Sequence, residues 1–221
     1  MTTTVISLLP EMLKAFGETL YMIGIAFVFA LALGLPLGIL LFVTGKGMFL
    51  QNRLVNTSFS FVVNIIRSIP YIILIVALIP LTRFILLGNA YGPTAASVSL
   101  TIAAIPFFAR LVETSMKEID KGVIEAAIAV GATPKMIIKD VLLPEAKPGI
   151  IQGLTITLIN LVAFSAMAGF VGGGGIGDVA IRYGYYRYDN VTMFVTVTIL
   201  IVLVQIIQIT GDRLSVKVDK R

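Results

Sequence analysis

Few residues in this 221-residue chain can do chemistry. It has no histidine and no cysteine, which removes the commonest general base and metal ligand, the thiolate nucleophile and the disulfide framework. Paired carboxylates are missing too. Gly45-Lys46-Gly47 is no phosphate loop, because no GxxxxGK spacing precedes it and no Ser or Thr follows the lysine. No catalytic residue, metal ligand or cofactor of its own is therefore expected. Two kinds of feature remain. One is a charged stretch between apolar segments, Glu125 to Pro144, reading EAAIAVGATPKMIIKDVLLP. The other is a set of polar or adaptable side chains inside apolar runs: Asn64, Arg67 and Ser68 in one, Asn160, Ser165 and Met167 in another. An arginine in such a run costs about 2.5–3.5 kcal/mol to insert, so Arg67 must face protein or water. The chemistry on offer is the docking of a partner and the passage of a solute, with plain packing as the blander reading of Met167.

The charged stretch has a clear local reading. Asp120 can cap a short helix from Lys121 to Val130, and Gly131 can end it in the left-handed conformation that glycine tolerates. Thr133 is placed to cap a second helix whose first residue is Pro134. Over Lys135 to Val141 the apolar Met136, Ile137, Ile138 and Val141 alternate with Lys135, Lys139 and Asp140, a short amphipathic helix with one face free for a partner. Such a helix is too short to stand alone in water.

The elements that position these residues are membrane spans. The chain is 57% hydrophobic and 13% charged, with a mean hydropathy of +0.99. Soluble domains average roughly 45–50% apolar and about 25% charged. The expected fold is an all-α membrane protein, one domain over 1–221, with five transmembrane helices at about 19–43, 58–82, 94–112, 149–171 and 191–209. A polar lead-in covers 1–16, and a polar loop fills about 114–147. Pro36 should kink the first span, where Gly34 and Gly38 allow close helix approach. Pro106 should kink the third, with Arg110 and Glu113 at its end. Four glycines at 172–175 cannot hold a helix, and the tyrosines from Tyr183 to Tyr188 suit an aromatic belt.

Five spans put the termini on opposite sides. Lys46, Arg53, Lys117, Lys121, Lys135, Lys139, Lys147, Arg213, Lys217, Lys220 and Arg221 fall on one side, against Lys14, Arg182 and Arg187 on the other. The positive-inside rule puts the larger group in the cytoplasm, with the N-terminus outside and the C-terminus and the 114–147 loop inside. The net charge of +5 then serves orientation, with no nucleic acid implied.

The 125–144 stretch resembles the EAA loop of the membrane subunits of ABC importers, and the spacing holds over all its residues. In that family the loop is a cytoplasmic coupling element that docks on a separate ATPase. The resemblance implies a small ABC importer permease fold with coupling helices. It also implies ATPase contact through Glu125, Ala126, Ala127, Gly131, Ala132, Thr133, Pro134, Leu143 and Pro144. Arg67-Ser68-Ile69-Pro70, Phe108 to Glu113, Ser165-Ala166-Met167 and the Tyr183-Gly184-Tyr185 region are similar to the methionine importer permeases. That narrower resemblance implies a permease for D- or L-methionine in a bacterial inner membrane. Its partners would be a second permease copy, two ATPase subunits holding ATP and Mg, and an extracytoplasmic binding protein. A permease for another amino acid or an osmoprotectant is the alternative within the class. An ion-coupled secondary transporter is the alternative outside it, and would call for internal repeats and intramembrane carboxylates that the sequence lacks.

Overall fold

The computed structural model describes residues 2–219, with side chains from Leu8 onward; Lys220 and Arg221, which count toward the orientation, lie outside them. Every regular element among the described residues is helical. In order these are α1 (Thr2–Phe29), α2 (Leu35–Val43), α3 (Arg53–Ser68), α4 (Tyr71–Ala77), α5 (Ile79–Ile85), α6 (Gly92–Lys117), α7 (Lys121–Ala129), α8 (Pro134–Met136), α9 (Leu143–Ala168), α10 (Gly175–Val179) and α11 (Asn190–Val218). Two π-helical turns, Ala30–Gly34 and Ile137–Leu142, join neighbours into longer rods, and a third, Ala180–Tyr185, extends α10. By length and hydropathy four helical segments can cross a membrane: Leu8–Val43, Gly92–Lys117, Pro134–Val171 and Asn190–Val218. A fifth crossing exists if α3 and α4, bent at their junction, count as one.

Several expectations change. Residues 2–16 are helix rather than lead-in, continuous with the remainder of α1. The 58–82 segment is broken after Ser68. Pro70 has no N–H to donate and disfavours helix at Ile69; its own φ and ψ are −54° and 133°. Around the break the Ser68 hydroxyl bonds back to the Asn64 carbonyl at 2.7 Å, and the amides of Ile73 and Leu74 restart on the Pro70 carbonyl. Helix α6 runs unbroken through Pro106 to Lys117, so Arg110 and Glu113 lie inside it, not at its end. The short helix expected over 135–141 is no separate element. It is the start of a helical rod from Pro134 to Val171, and that continuity supplies the stability a short helix lacks.

Proline placement explains two of the π turns. Ala30–Gly34 ends two residues before Pro36, and Ile137–Leu142 ends two residues before Pro144. A widened turn takes up the missing N–H and the ring clash with the carbonyl four residues back. The rods continue where an ideal helix would break.

Packing divides the chain into two compact units. The first draws on Met1–Val28, Ile69–Ala104 and Leu158–Gln208. Here Met12, Ala15, Ile176 and Val179 form a buried cluster against Phe16, Tyr183 and Val195. Tyr71 stacks on Phe164 with ring centroids 4.4 Å apart and shares a 3.1 Å hydrogen bond with Ser99. The glycine run at 172–175 is non-helical until Gly175, with φ of +80° at Gly172 and +77° at Gly174. The restarted helix is capped from α1: the Gly175 amide donates to Glu18 Oε2 and the Ile176 amide to Thr19 Oγ1, both at 2.9 Å.

The second unit draws on Phe29–Ser68, Ile105–Thr157 and Ile209–Arg221. Its helices meet through small residues. A Cβ on Gly38 would lie 2.5 Å from the Ala109 carbonyl and 2.6 Å from Val112 Cβ, and one on Gly34 would lie 3.0 Å from the Ile105 carbonyl. Gly149 and Gly153 of α9 meet Ser115 and Leu111 of α6 in the same way, and Gly211 of α11 meets Thr155. Close backbone approach, as the Gly34–Gly38 spacing anticipates, is how helices associate where lipid removes the hydrophobic drive between them. Gly38→Val should therefore destabilise the protein by about 1–3 kcal/mol through overpacking. Gly24→Ala on the same rod, with nothing within 4 Å of the new atom, should not. Thermal unfolding of the purified proteins, followed by size-exclusion recovery, measures both; equal midpoints would contradict the packing account.

Candidate functional site

The charged stretch folds as two capped helices around a glycine. At its start Asp120 Oδ1 accepts the Gly122 amide at 2.6 Å, and α7 follows. At its end Val130 is the C-cap and Gly131 has φ of +80°. The Gly131 amide donates to the Ile128 carbonyl at 2.9 Å and the Ala132 amide to the Ala127 carbonyl at 3.0 Å, the paired bonds of a Schellman stop. Thr133 Oγ1 then accepts the Met136 amide at 3.4 Å, with Pro134 in the first turn. Each of these positions was legible from residue type alone.

Burial divides the stretch into an inner and an outer surface. Helix α7 packs on the 137–142 turn, with Ile124, Ile137 and Leu142 buried. Glu125, Ala126, Gly131, Thr133, Pro134 and Pro144 are exposed, and Ala127, Ala132 and Leu143 are half-buried. Around them Val130 is 84% exposed and Met136 half-exposed, so the apolar residues of the amphipathic reading are split between core and surface. Beside the stretch, a cavity of about 630 Å³ opens along Lys139, Pro144, Lys147 and Pro148, with Leu35 and Lys217 also lining it.

Of the candidate path residues, Asn64, Arg67 and Ser68 lie in the second unit, and Asn160, Ser165 and Met167 in the first. In the second unit Arg110 Nη2 donates to Asn64 Oδ1 at 2.6 Å, and Arg110 Nη1 pairs with Glu113 Oε2 at 2.6 Å. Lys117 Nζ pairs with Glu113 Oε1 at 2.6 Å. Glu113 is only 4% exposed, and this network gives both of its carboxylate oxygens a partner, as a buried carboxylate requires. Arg67 is exposed and sits 5.9 Å from the Phe107 ring centroid. The network escaped the sequence reading, although the spacing Arg110, Glu113, Lys117 on one helix face was its signal. In the first unit Ser165 is buried and its hydroxyl bonds the Val162 carbonyl at 2.8 Å, while Met167 is 40% exposed.

A second polar network lies in the first unit. Arg182 bridges Glu11 Oε1 at 2.8 Å and Asp178 Oδ2 at 2.6 Å, and the Tyr183 hydroxyl donates to Glu11 Oε2 at 2.7 Å. That carboxylate raises the Tyr183 phenol above its ordinary value. Tyr183 is thus a structural partner, whereas Tyr185, Tyr186 and Tyr188 are exposed as an aromatic belt would be. Nearby, Asp189 caps α11 by accepting from the Thr192 hydroxyl and from the Thr192 and Val191 amides. The Thr192 hydroxyl does most to hold its carboxyl below the usual range. No cluster of metal-ligating side chains occurs among the described residues.

Comparison with known proteins places this geometry. Residues 32–221 match the family described as binding-protein-dependent transport system inner membrane component. The chain is 55% identical over 210 residues to a probable D-methionine transport system permease protein, MetI, of Vibrio cholerae, covering 95% of this chain and 93% of that one. It is 46% identical over 213 residues to the methionine import system permease protein MetP of Bacillus subtilis, covering 96% of each. Among solved structures, it is similar to a chain of the MetNI methionine ABC transporter in an inward-facing conformation. The TM-score is 0.93 at 44% identity, and the match covers 100% of both chains.

The local geometry makes a sharp expectation for Gly131. A Cβ there would touch nothing within 4 Å, so Gly131→Ala carries only the left-handed backbone penalty, about 1 kcal/mol. Hydrogen exchange of the 121–136 amides should speed up several-fold while the rest of the chain keeps its protection. Unchanged exchange in that segment would contradict the capping account.

Proposed function

The chain belongs to the family of binding-protein-dependent transport system inner membrane components, and from that membership we propose that it is the membrane-spanning permease subunit of an ATP-driven methionine importer. The observation that carries the reading is the exposed surface of the 121–142 segment. Two capped helices meet at a left-handed glycine, their inner faces are buried, and Glu125, Val130 and Met136 stand open. That is a rigid, bent element with apolar surface left for a partner. Methionine as the solute is supported by the transport named for the Vibrio and Bacillus relatives.

The remaining parts follow from chemistry. The sequence holds no phosphate loop, so ATP and Mg belong to separate ATPase subunits, which dock on Glu125, Ala126, Ala127, Gly131, Ala132, Thr133, Pro134, Leu143 and Pro144. One such element per chain pairs two permease copies with two ATPases, and a two-fold axis lets two sets of helices enclose a path. A binding protein delivers the solute, in keeping with the family's description. The chain acts as one membrane domain with five crossings, the α3–α4 pair being the second. Its N-terminus is outside and its 114–147 segment cytoplasmic, a placement that the distribution of lysine and arginine supports. Asn64, Arg67, Ser68, Asn160, Ser165 and Met167 border the solute path.

Two experiments test this. Cells carrying the chain should take up labelled methionine, and an ATPase should copurify with it. Glu125→Lys and Gly131→Asp should each cut uptake and copurification about tenfold, as loss of about 1.4 kcal/mol of docking energy would, with membrane abundance little changed. Normal uptake in both variants would remove the segment from the mechanism. For orientation, a single cysteine at position 135 of this cysteine-free chain should resist an impermeant thiol reagent in intact cells and react after permeabilisation; labelling in intact cells would reverse the topology.

A further inference from the structure

We propose that Arg67 and Arg110 form a two-arginine subsite that receives the carboxylate of the amino acid as it crosses. The inference rests on the importer reading and adds to it a substrate contact within the permease. All of its residues lie in the second unit. On α3, Asn64, Arg67 and Ser68 share a face; on α6, Phe107, Arg110 and Glu113 do.

Charge balance is the first argument. Arg67, Arg110 and Lys117 gather around one carboxylate, Glu113, and are not neutralised by it. Both Glu113 oxygens are committed, Oε2 to Arg110 and Oε1 to Lys117. Arg67 makes no ion pair among the described residues, yet it is close enough to Arg110 and Glu113 for both charges to act on it. Arg67 and Arg110 both sit in segments apolar enough to cross a membrane, the α3–α4 pair and Gly92–Lys117. Cations kept there without a counter-ion are costly and mark solute paths.

Geometry is the second argument. Arg110 is held at two points, by Glu113 through Nη1 and by Asn64 through Nη2, both at 2.6 Å. Asn64 and Glu113 are therefore positioning residues for its guanidinium plane. Arg67 lies against the Phe107 ring, which aligns its guanidinium without consuming a donor. Nearby Ser68 spends its hydroxyl on the Asn64 carbonyl and competes for nothing. Arg67 keeps its donors and Arg110 keeps those beyond the two it spends, and a planar guanidinium fork is matched to a carboxylate. The headgroup of an anionic lipid has the same acceptor chemistry, and the test separates the two sources.

The permease, with its ATPase, is reconstituted into phosphatidylcholine vesicles with and without phosphatidylglycerol. Transport is driven by saturating binding protein loaded with either methionine or methioninamide, which lacks the carboxylate. Wild type should carry methionine about tenfold faster than the amide, the size expected of one charge-assisted contact. Arg67→Met should lose that preference by bringing methionine down to the amide rate, and Arg67→Lys should keep most of it. The inference is overturned if Arg67→Met keeps the preference, or lowers both ligands in equal proportion as a structural fault would. It is also overturned if the effect of Arg67→Met appears only in vesicles containing phosphatidylglycerol. A wild-type complex that carries neither ligand overturns the importer reading itself.

Discussion

Inside a bilayer a freed backbone amide or carbonyl has no water to turn to, so every interruption of a helix must be answered within the protein. The sequence interrupts its helices often, with nine prolines and twenty glycines, and the answers come from neighbouring turns or from side chains packed against the break. Widened turns precede Pro36 and Pro144. The Pro70 carbonyl takes up the amides of Ile73 and Leu74 that restart the chain after α3. Glu18 and Thr19 reach the amides that open after the glycine run, and Asp189 does the same for the last helix. No buried side-chain polar atom among the described residues is left without a hydrogen-bond partner.

The same medium decides how helices hold together. Lipid tails are as apolar as leucine, so burial of apolar surface does little between spans, and van der Waals contact must do more. Gly34 and Gly38 bring α6 against the first rod, and Gly149, Gly153 and Gly211 do likewise for α6, α9 and α11. Two networks tie ionic groups of different charge together. Arg182 with Glu11 and Asp178 serves one unit, and Glu113 with Arg110 and Lys117 the other. Arg67 departs from that pattern, and its departure motivates a role in contact with solute.

The surface proposed for the ATPase follows the opposite logic. In the 121–142 segment each helix end is capped by its own neighbours, so its rigidity is set locally. Its apolar residues divide between a core side, Ile124, Ile137 and Leu142, and an open side, Val130 and Met136. A stiff element of this kind can transmit displacement, because its shape does not depend on the partner that pushes it.

The features that the sequence by itself determined are those set within a turn or two of the chain. Composition settled the membrane class, Gly131 the left-handed stop, and Asp120 and Thr133 with Pro134 the caps of two helices. The Gly34–Gly38 spacing settled a close approach. In each case the deciding interaction involves residues a few positions apart or a property of the side chain alone. Only the tertiary structure decided the rest. Pro70 breaks its segment while Pro106 and Pro148 stand inside continuous helices, a difference that residue type alone does not carry. The rod from Pro134 to Val171 absorbs a helix that hydropathy separates from the span. Besides their partners one turn away, Arg110 and Arg182 reach Asn64 and Glu11, 46 and 171 residues away, and contacts at such separations are made by packing, which no local pattern of residue types encodes.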